Sequence, residues 1–131
     1  MFRVTDLKVI RVATPDVDAA VSTFQRNFGL SVTRSSRDDG SHTVSTCLAI
    51  GAAEIEMEAP TDSGSPLASF LAERGAGLRD LVLEVDDLER ARQDLSSKGI
   101  DVALVAGPDG RLVGSLDPAQ THGVRITLVA R

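Results

Sequence analysis

The chain has 131 residues, of which 42% are apolar and 25% charged, and its formal net charge is −5. This is enough for one compact core or two small repeated modules. The acidic balance is the wrong sign for a protein that lives on phosphate backbones, and four Phe with no Trp or Tyr leave few flat rings to stack on bases. A lone cysteine, Cys47, has no partner for an internal disulfide and belongs to neither a CxxC nor a Cys/His cluster of the kind zinc needs. No run approaches the roughly 18 apolar residues of a membrane span, and residues 1–6 contain no apolar signal segment, so the expected setting is cytoplasmic.

Taken in chain order, residues 7–13 alternate as a strand and break at Pro15 and Asp16. Val17, Ala20, Val21, Phe24 and Phe28 then recur at helical spacing, with Asp16 as N-cap and Gly29 as the left-handed residue that ends the helix. Strands are expected over residues 30–36, 42–50 and 54–58, separated by the turn chemistry of Asp38-Asp39-Gly40 and Gly51-Ala52. A connector, residues 60–77, carries a short helix opened by Ser65 and Pro66 and closed at Arg74-Gly75. From Leu78 the pattern repeats. The run beginning at Leu7 reads like the run beginning at Leu78, an offset of 71 (78 minus 7), and Glu56 lies over Thr127 at the same offset (127 minus 56). The second helix carries Leu88, Ala91 and Leu95, with Asp86 or Asp87 as N-cap and Gly99 as its end. Weaker strands over 100–105 and 111–116 flank Pro108-Asp109-Gly110, and 125–129 closes the chain. Each half therefore reads β-α-β-β-β, and the class is α+β: one domain with module 1 over 1–59, the connector over 60–77 and module 2 over 78–131.

Successive side chains of a strand point to opposite faces. One face carries Ile10, Val12, Ile55, Met57, Leu81, Leu83, Val85, Ile126 and Leu128 and should pack beneath the helices. The other presents Val9, Arg11, Glu54, Glu56, Glu58, Asp80, Val82, Glu84, Arg125 and Thr127. In an antiparallel sheet such a face can simply be solvated. Alternatively, the two modules curl into a cupped, open mixed β-barrel with its helices outside, and the charged face lines a cavity.

The stretch Asp16-Val17-Asp18-Ala19-Ala20-Val21, with Phe24, Gly29 and Leu30 after it, resembles the opening helix of the vicinal oxygen chelate superfamily of glyoxalases, bleomycin-resistance proteins and extradiol dioxygenases. Glu54-Ile55-Glu56-Met57-Glu58-Ala59-Pro60, Ser65-Pro66-Leu67, Phe70-Leu71, Arg74-Gly75-Ala76-Gly77-Leu78 and Glu84-Val85-Asp86-Asp87-Leu88 are similar to the methylmalonyl-CoA epimerases in order and spacing. The resemblance implies a divalent-metal site whose four ligand places fall on Val9, Glu56, Asp80 and Thr127. Val9 cannot ligate and Thr127 offers only a hydroxyl, so the residues point to no metal and no other cofactor.

Arg11 and Arg125 lie two residues along their strands from those places, about 6.6 to 7 Å away on the same side. An arginine offers fixed charge and paired donors to a carboxylate, thioester oxygen or enolate, which suggests metal-independent acid–base chemistry of isomerase, epimerase, cyclase or lyase type on a small carbonyl or acyl metabolite. The expected catalytic residues are Glu56, Asp80, Arg11 and Arg125, with Val9, Glu54, Val82, Glu84, His122 and Thr127 lining the substrate. Two other readings stand beside this one: a small-molecule-binding or drug-sequestering protein without turnover, its arginines merely neutralising the acids, and a divergent methylmalonyl-CoA epimerase. The expected partner is a small molecule, with neither nucleic acid nor membrane involved, and the edge strands suggest a homodimer. His42 reads as an exposed strand end and Cys47 as a small buried apolar residue.

Overall fold

The computed structural model describes residues 1–107 and 109–131. Its elements are β1 (Val4–Ala13), α1 (Val17–Phe28), β2 (Val32–Asp38), β3 (Thr43–Ile50), β4 (Ala53–Pro60), α2 (Pro66–Arg74), β5 (Gly77–Val85), α3 (Leu88–Ser97), β6 (Val102–Ala106), β7 (Leu112–Leu116), a 3-10 turn (Pro118–Thr121) and β8 (Ile126–Ala130). The doubled β-α-β-β-β pattern and the connector helix are thus present, in an α+β fold.

The helix boundaries follow from local chemistry. The Asp16 carboxylate accepts from the Ala19 backbone N–H, and Gly29 takes φ 68°, a left-handed conformation that costs glycine little. Asp87, and not Asp86, caps α3 by accepting from Arg90 N–H; Asp86 instead accepts from the Arg3 backbone. Ser65 caps α2 with Pro66 in its first turn.

Two units are compact in themselves, and each has its own core. In Ile10–Arg79 the strands run β2-β3-β4-β1, and the pairings of β2 with β3 and of β3 with β4 are antiparallel. Here Val17 and Val21 of α1 pack with Leu48, Met57 and Ala59, joined by Val12, Phe24 and Ile55. The other unit, Met1–Val9 with Asp80–Arg131, orders its strands β1-β5-β8-β7-β6, with β5 and β8 parallel. Val85, Ala91, Leu116 and Leu128 form its core, with Leu83, Leu88, Leu95, Val102 and Ile126 against them. Of the apolar face expected from alternation, Val12, Ile55 and Met57 join the first core and Leu83, Val85, Ile126 and Leu128 the second, while Ile10 and Leu81 belong to neither cluster. Gly114 of β7 lies in the second core, where a Cβ would meet Val102 Cγ1 at 2.8 Å.

Several sequence boundaries need correction. β2 and β6 each begin two residues later than expected. His42 does not start a strand: it takes φ 56° in the turn before β3 and sets its ring Nδ1 2.9 Å from Asp62 Oδ2. The 3-10 turn was not anticipated; Asp117 caps it and His122 ends it in a left-handed conformation. Of the expected turn at 108–110, Pro108 lies outside the described residues, and Gly110 has φ 81°. Among the described residues no helix is long and apolar enough to cross a membrane.

Candidate functional site

Opposite its core, the Ile10–Arg79 unit carries a polar face built by strand register. Cys47 of β3 stands across from Glu56 of β4, and Arg34 of β2 stands across from Cys47. Arg34 reaches that row because β2 is irregular between Val32 and Arg34: Val32 faces Leu48 and Arg34 faces Cys47, so two residues on β2, Thr33 and Arg34, span one step of β3. The extra residue reverses side-chain parity. Were β2 to pair regularly from Val32, Thr33 would stand opposite Cys47 and Arg34 opposite Thr46, on the face of Leu48, which is fully buried under α1.

The side chains in this row are joined. Arg11 Nε donates to Glu56 Oε1 at 2.9 Å, with the two side chains 28% and 15% exposed. The Cys47 thiol donates to Glu56 Oε2 at 3.7 Å, and Arg34 Nε donates to Cys47 Sγ at 3.4 Å. Arg34 Nη2 continues to Glu54 Oε1 at 3.0 Å, and the Thr33 hydroxyl donates to Glu54 Oε2 at 2.6 Å. Burial pushes the Cys47 thiol above its ordinary range, so it remains a thiol and a donor. One strand position further on, Glu58 is buried and accepts from Arg79 Nη1 at 3.4 Å, while the Arg79 guanidinium stands over the Phe70 ring at 5.8 Å. Burial, and then the neighbouring Glu56 charge, raise the Glu58 carboxyl above the usual range; Arg11 and Arg79 pull the other way.

The second unit carries a smaller arrangement. Asp80 on β5 is buried and accepts from the Thr127 hydroxyl of β8 at 2.9 Å. The Thr5 hydroxyl donates to Glu84 Oε1 at 2.7 Å, and Lys8 Nζ lies 3.8 Å from Glu84 Oε2. Val82 is buried opposite Thr127 in the parallel ladder, and Val9 is half-buried. Arg125 is exposed just before β8 and, with Asp101, Ser115 and Gln120, lines an open concavity of about 370 Å³. His122 is exposed at the end of the 3-10 turn.

Of the expected site residues, the structure joins Arg11 with Glu56 and Asp80 with Thr127, and it ties Glu54 to Arg34. Arg34, Cys47, Glu58 and Arg79 enter as site residues that sequence reasoning did not select. For Glu58 the alternation of acids on β4 was the available signal. For Arg34 the β2 irregularity concealed it, and Cys47, though buried as expected, also makes polar contacts.

The places that the family resemblance assigns to metal ligands suit a divalent ion poorly. Val9 has no donor atom, Glu56 is already engaged by Arg11 and Cys47, and the Thr127 hydroxyl is directed to Asp80. Among the described residues no three of His, Cys, Asp or Glu are grouped as a metal would require.

The Glyoxalase/Bleomycin resistance protein/Dioxygenase superfamily model matches residues 10–114. The ethylmalonyl-CoA/methylmalonyl-CoA epimerase of Cereibacter sphaeroides is 29% identical over 128 residues, covering 93% of this chain and 95% of its own. A crystal structure of methylmalonyl-CoA epimerase from Mycobacterium tuberculosis superposes with TM-score 0.87 at 29% identity, covering 97% of this chain and 88% of that one. A variant of the Streptomyces coelicolor methylmalonyl-CoA epimerase, in complex with 2-nitronate-propionyl-CoA, gives TM-score 0.87 at 25% identity over 98% and 95%. With the doubled β-α-β-β-β architecture and a family match across most of its length, the chain belongs to the Glyoxalase/Bleomycin resistance protein/Dioxygenase superfamily.

Proposed function

We propose that the chain is a proton-transfer enzyme acting on a small acyl thioester of the kind its epimerase relatives are named for, with Glu56 moving the proton next to the carbonyl. The observation that carries this reading is the Arg11–Glu56 pair: a carboxylate held at 2.9 Å by a guanidinium, both half-buried on the polar side of a sheet whose reverse is a closed apolar core. Removing a proton adjacent to a thioester carbonyl builds charge on the carbonyl oxygen, and a cation fixed near the base can stabilise it without a resident metal. Arg11 takes that role. The thioester substrate class is supported by the named relatives and by the CoA ester bound in the Streptomyces coelicolor structure.

A second reading is favoured by a different observation. Glu54, Glu56 and Glu58 are paired with Arg34, Arg11 and Arg79 in turn, which is also how a static ion-pair lattice in a small-molecule-binding protein is built.

Deuterium uptake into racemic methylmalonyl-CoA in heavy water separates the readings. Catalysis requires exchange that survives a chelator and falls roughly 100- to 10,000-fold in Glu56→Gln. Absence of exchange, with or without chelator and added cobalt, alongside a thermal upshift on acyl-CoA binding, replaces this proposal with the binding reading.

A further inference from the structure

The carboxylate that moves a proton must be held in one orientation, and on this chain two groups grip Glu56, one on each oxygen. Arg11 takes Oε1; the Cys47 thiol takes Oε2. Cys47 is 2% exposed, and its sulfur in turn accepts from Arg34 Nε at 3.4 Å. Arg34 is in turn braced by Glu54, and Glu54 by Thr33, so a continuous run of polar contacts crosses β2, β3 and β4 and ends on the carboxylate. The β2 irregularity gives independent support: it breaks the regular ladder to bring an arginine opposite the thiol.

We propose that Cys47, supported from behind by Arg34, is the positioning residue for Glu56, orienting its carboxylate through Oε2 while leaving that oxygen able to accept a substrate proton. A thiol suits this task better than a stronger donor. An S–H group donates weakly, so it fixes the geometry of the carboxylate without occupying its lone pairs as tightly as a guanidinium or hydroxyl does. The role for Glu56 rests on the function proposed above; the contact between thiol and carboxylate does not, and the two are tested apart.

Cys47 is the only thiol in the chain, so its S–H stretching band in the infrared is unambiguous. If the thiol donates to the carboxylate, Glu56→Gln moves the band to higher frequency, since a neutral amide is the weaker acceptor. An unchanged band overturns the proposal whether or not the protein turns over methylmalonyl-CoA. In deuterium exchange with racemic methylmalonyl-CoA, Cys47→Val lowers kcat about tenfold, the scale of one lost orienting hydrogen bond. KM stays within about twofold and Cys47→Ser recovers most of the loss, a split that general destabilisation does not produce. Equal kcat in wild type and Cys47→Val overturns the positioning role. Should Cys47→Val fail to fold, Arg34→Gln replaces a side chain that is 59% exposed and serves in its stead, with the same fall in kcat expected. A wild-type protein that exchanges no deuterium yet shows the band shift loses the proposed reaction and keeps the thiol contact.

Discussion

Replacing Gly114 with alanine puts a methyl group where none fits. A Cβ at that position stands 2.8 Å from Val102 Cγ1, 3.3 Å from Leu88 Cδ1 and 3.5 Å from Leu128 Cβ, whereas ordinary contact begins at 3.4 Å. The nearest atom belongs to a β-branched side chain of the adjacent strand, stiff about χ1, so it cannot swing aside as the end of a lysine or methionine would. Overpacking of this kind costs about 1–3 kcal/mol, and the entropy gained by removing a strand glycine returns about 0.5–1 kcal/mol. The expected net loss is about 1–2 kcal/mol, or a fall of roughly 4–8 °C in Tm. The cause is checked by a double-mutant cycle read from urea unfolding midpoints. Val102→Ala alone loses packing, but combined with Gly114→Ala it removes the clashing methyl, so the double variant should be more stable than the sum of the single losses by about 1 kcal/mol. Losses that add within about 0.5 kcal/mol would show that the close approach to Val102 is not what excludes a side chain at this position.

Two further outcomes follow from the helix cap and the buried acid. Asp16→Ala removes the acceptor for the Ala19 N–H and should cost about 1 kcal/mol in urea unfolding, and Asp16→Asn should recover most of it. Glu58 has a folded-state pKa raised above its ordinary 4.5, so its contribution is fully present below that pH and is lost as pH rises through the raised value. Wild type should therefore lose unfolding midpoint relative to Glu58→Gln between acid and neutral pH; a constant difference between the two across that range would refute a raised Glu58.

The elements were legible wherever a chemical marker coincided with a periodic one. Asp16 and Gly29 bracket α1, Ser65 and Pro66 open α2, and the 71-residue offset between Leu7 and Leu78 disclosed the repeat. Alternation likewise located Arg11, Glu56 and Asp80 on the polar side, because strand parity depends only on counting. Counting did not reach β2, where no face was assigned: an extra residue in a strand leaves no mark in composition, and the position of Arg34 opposite Cys47 follows from the register alone. The 3-10 turn at Pro118–Thr121 escaped because a four-residue segment has no period to detect. Cys47 was read by its hydrophobicity, and burial and polar engagement are compatible for a thiol in a way that a hydropathy pattern cannot express.

The extra residue at Thr33 makes the chemistry of this surface depend on arithmetic as well as on amino-acid type. Regular pairing of the same β2 residues from Val32 onward would leave composition and hydropathy unchanged, yet Thr33 would then stand opposite Cys47 and every side chain from Arg34 onward would change sides, burying a guanidinium against aliphatic side chains and turning it away from the thiol. Homologues that pair β2 regularly through this point should therefore differ in what stands behind the carboxylate, even where each letter around it is unchanged. Aligning such sequences letter by letter across β2 would then pair residues that occupy opposite sides of the sheet.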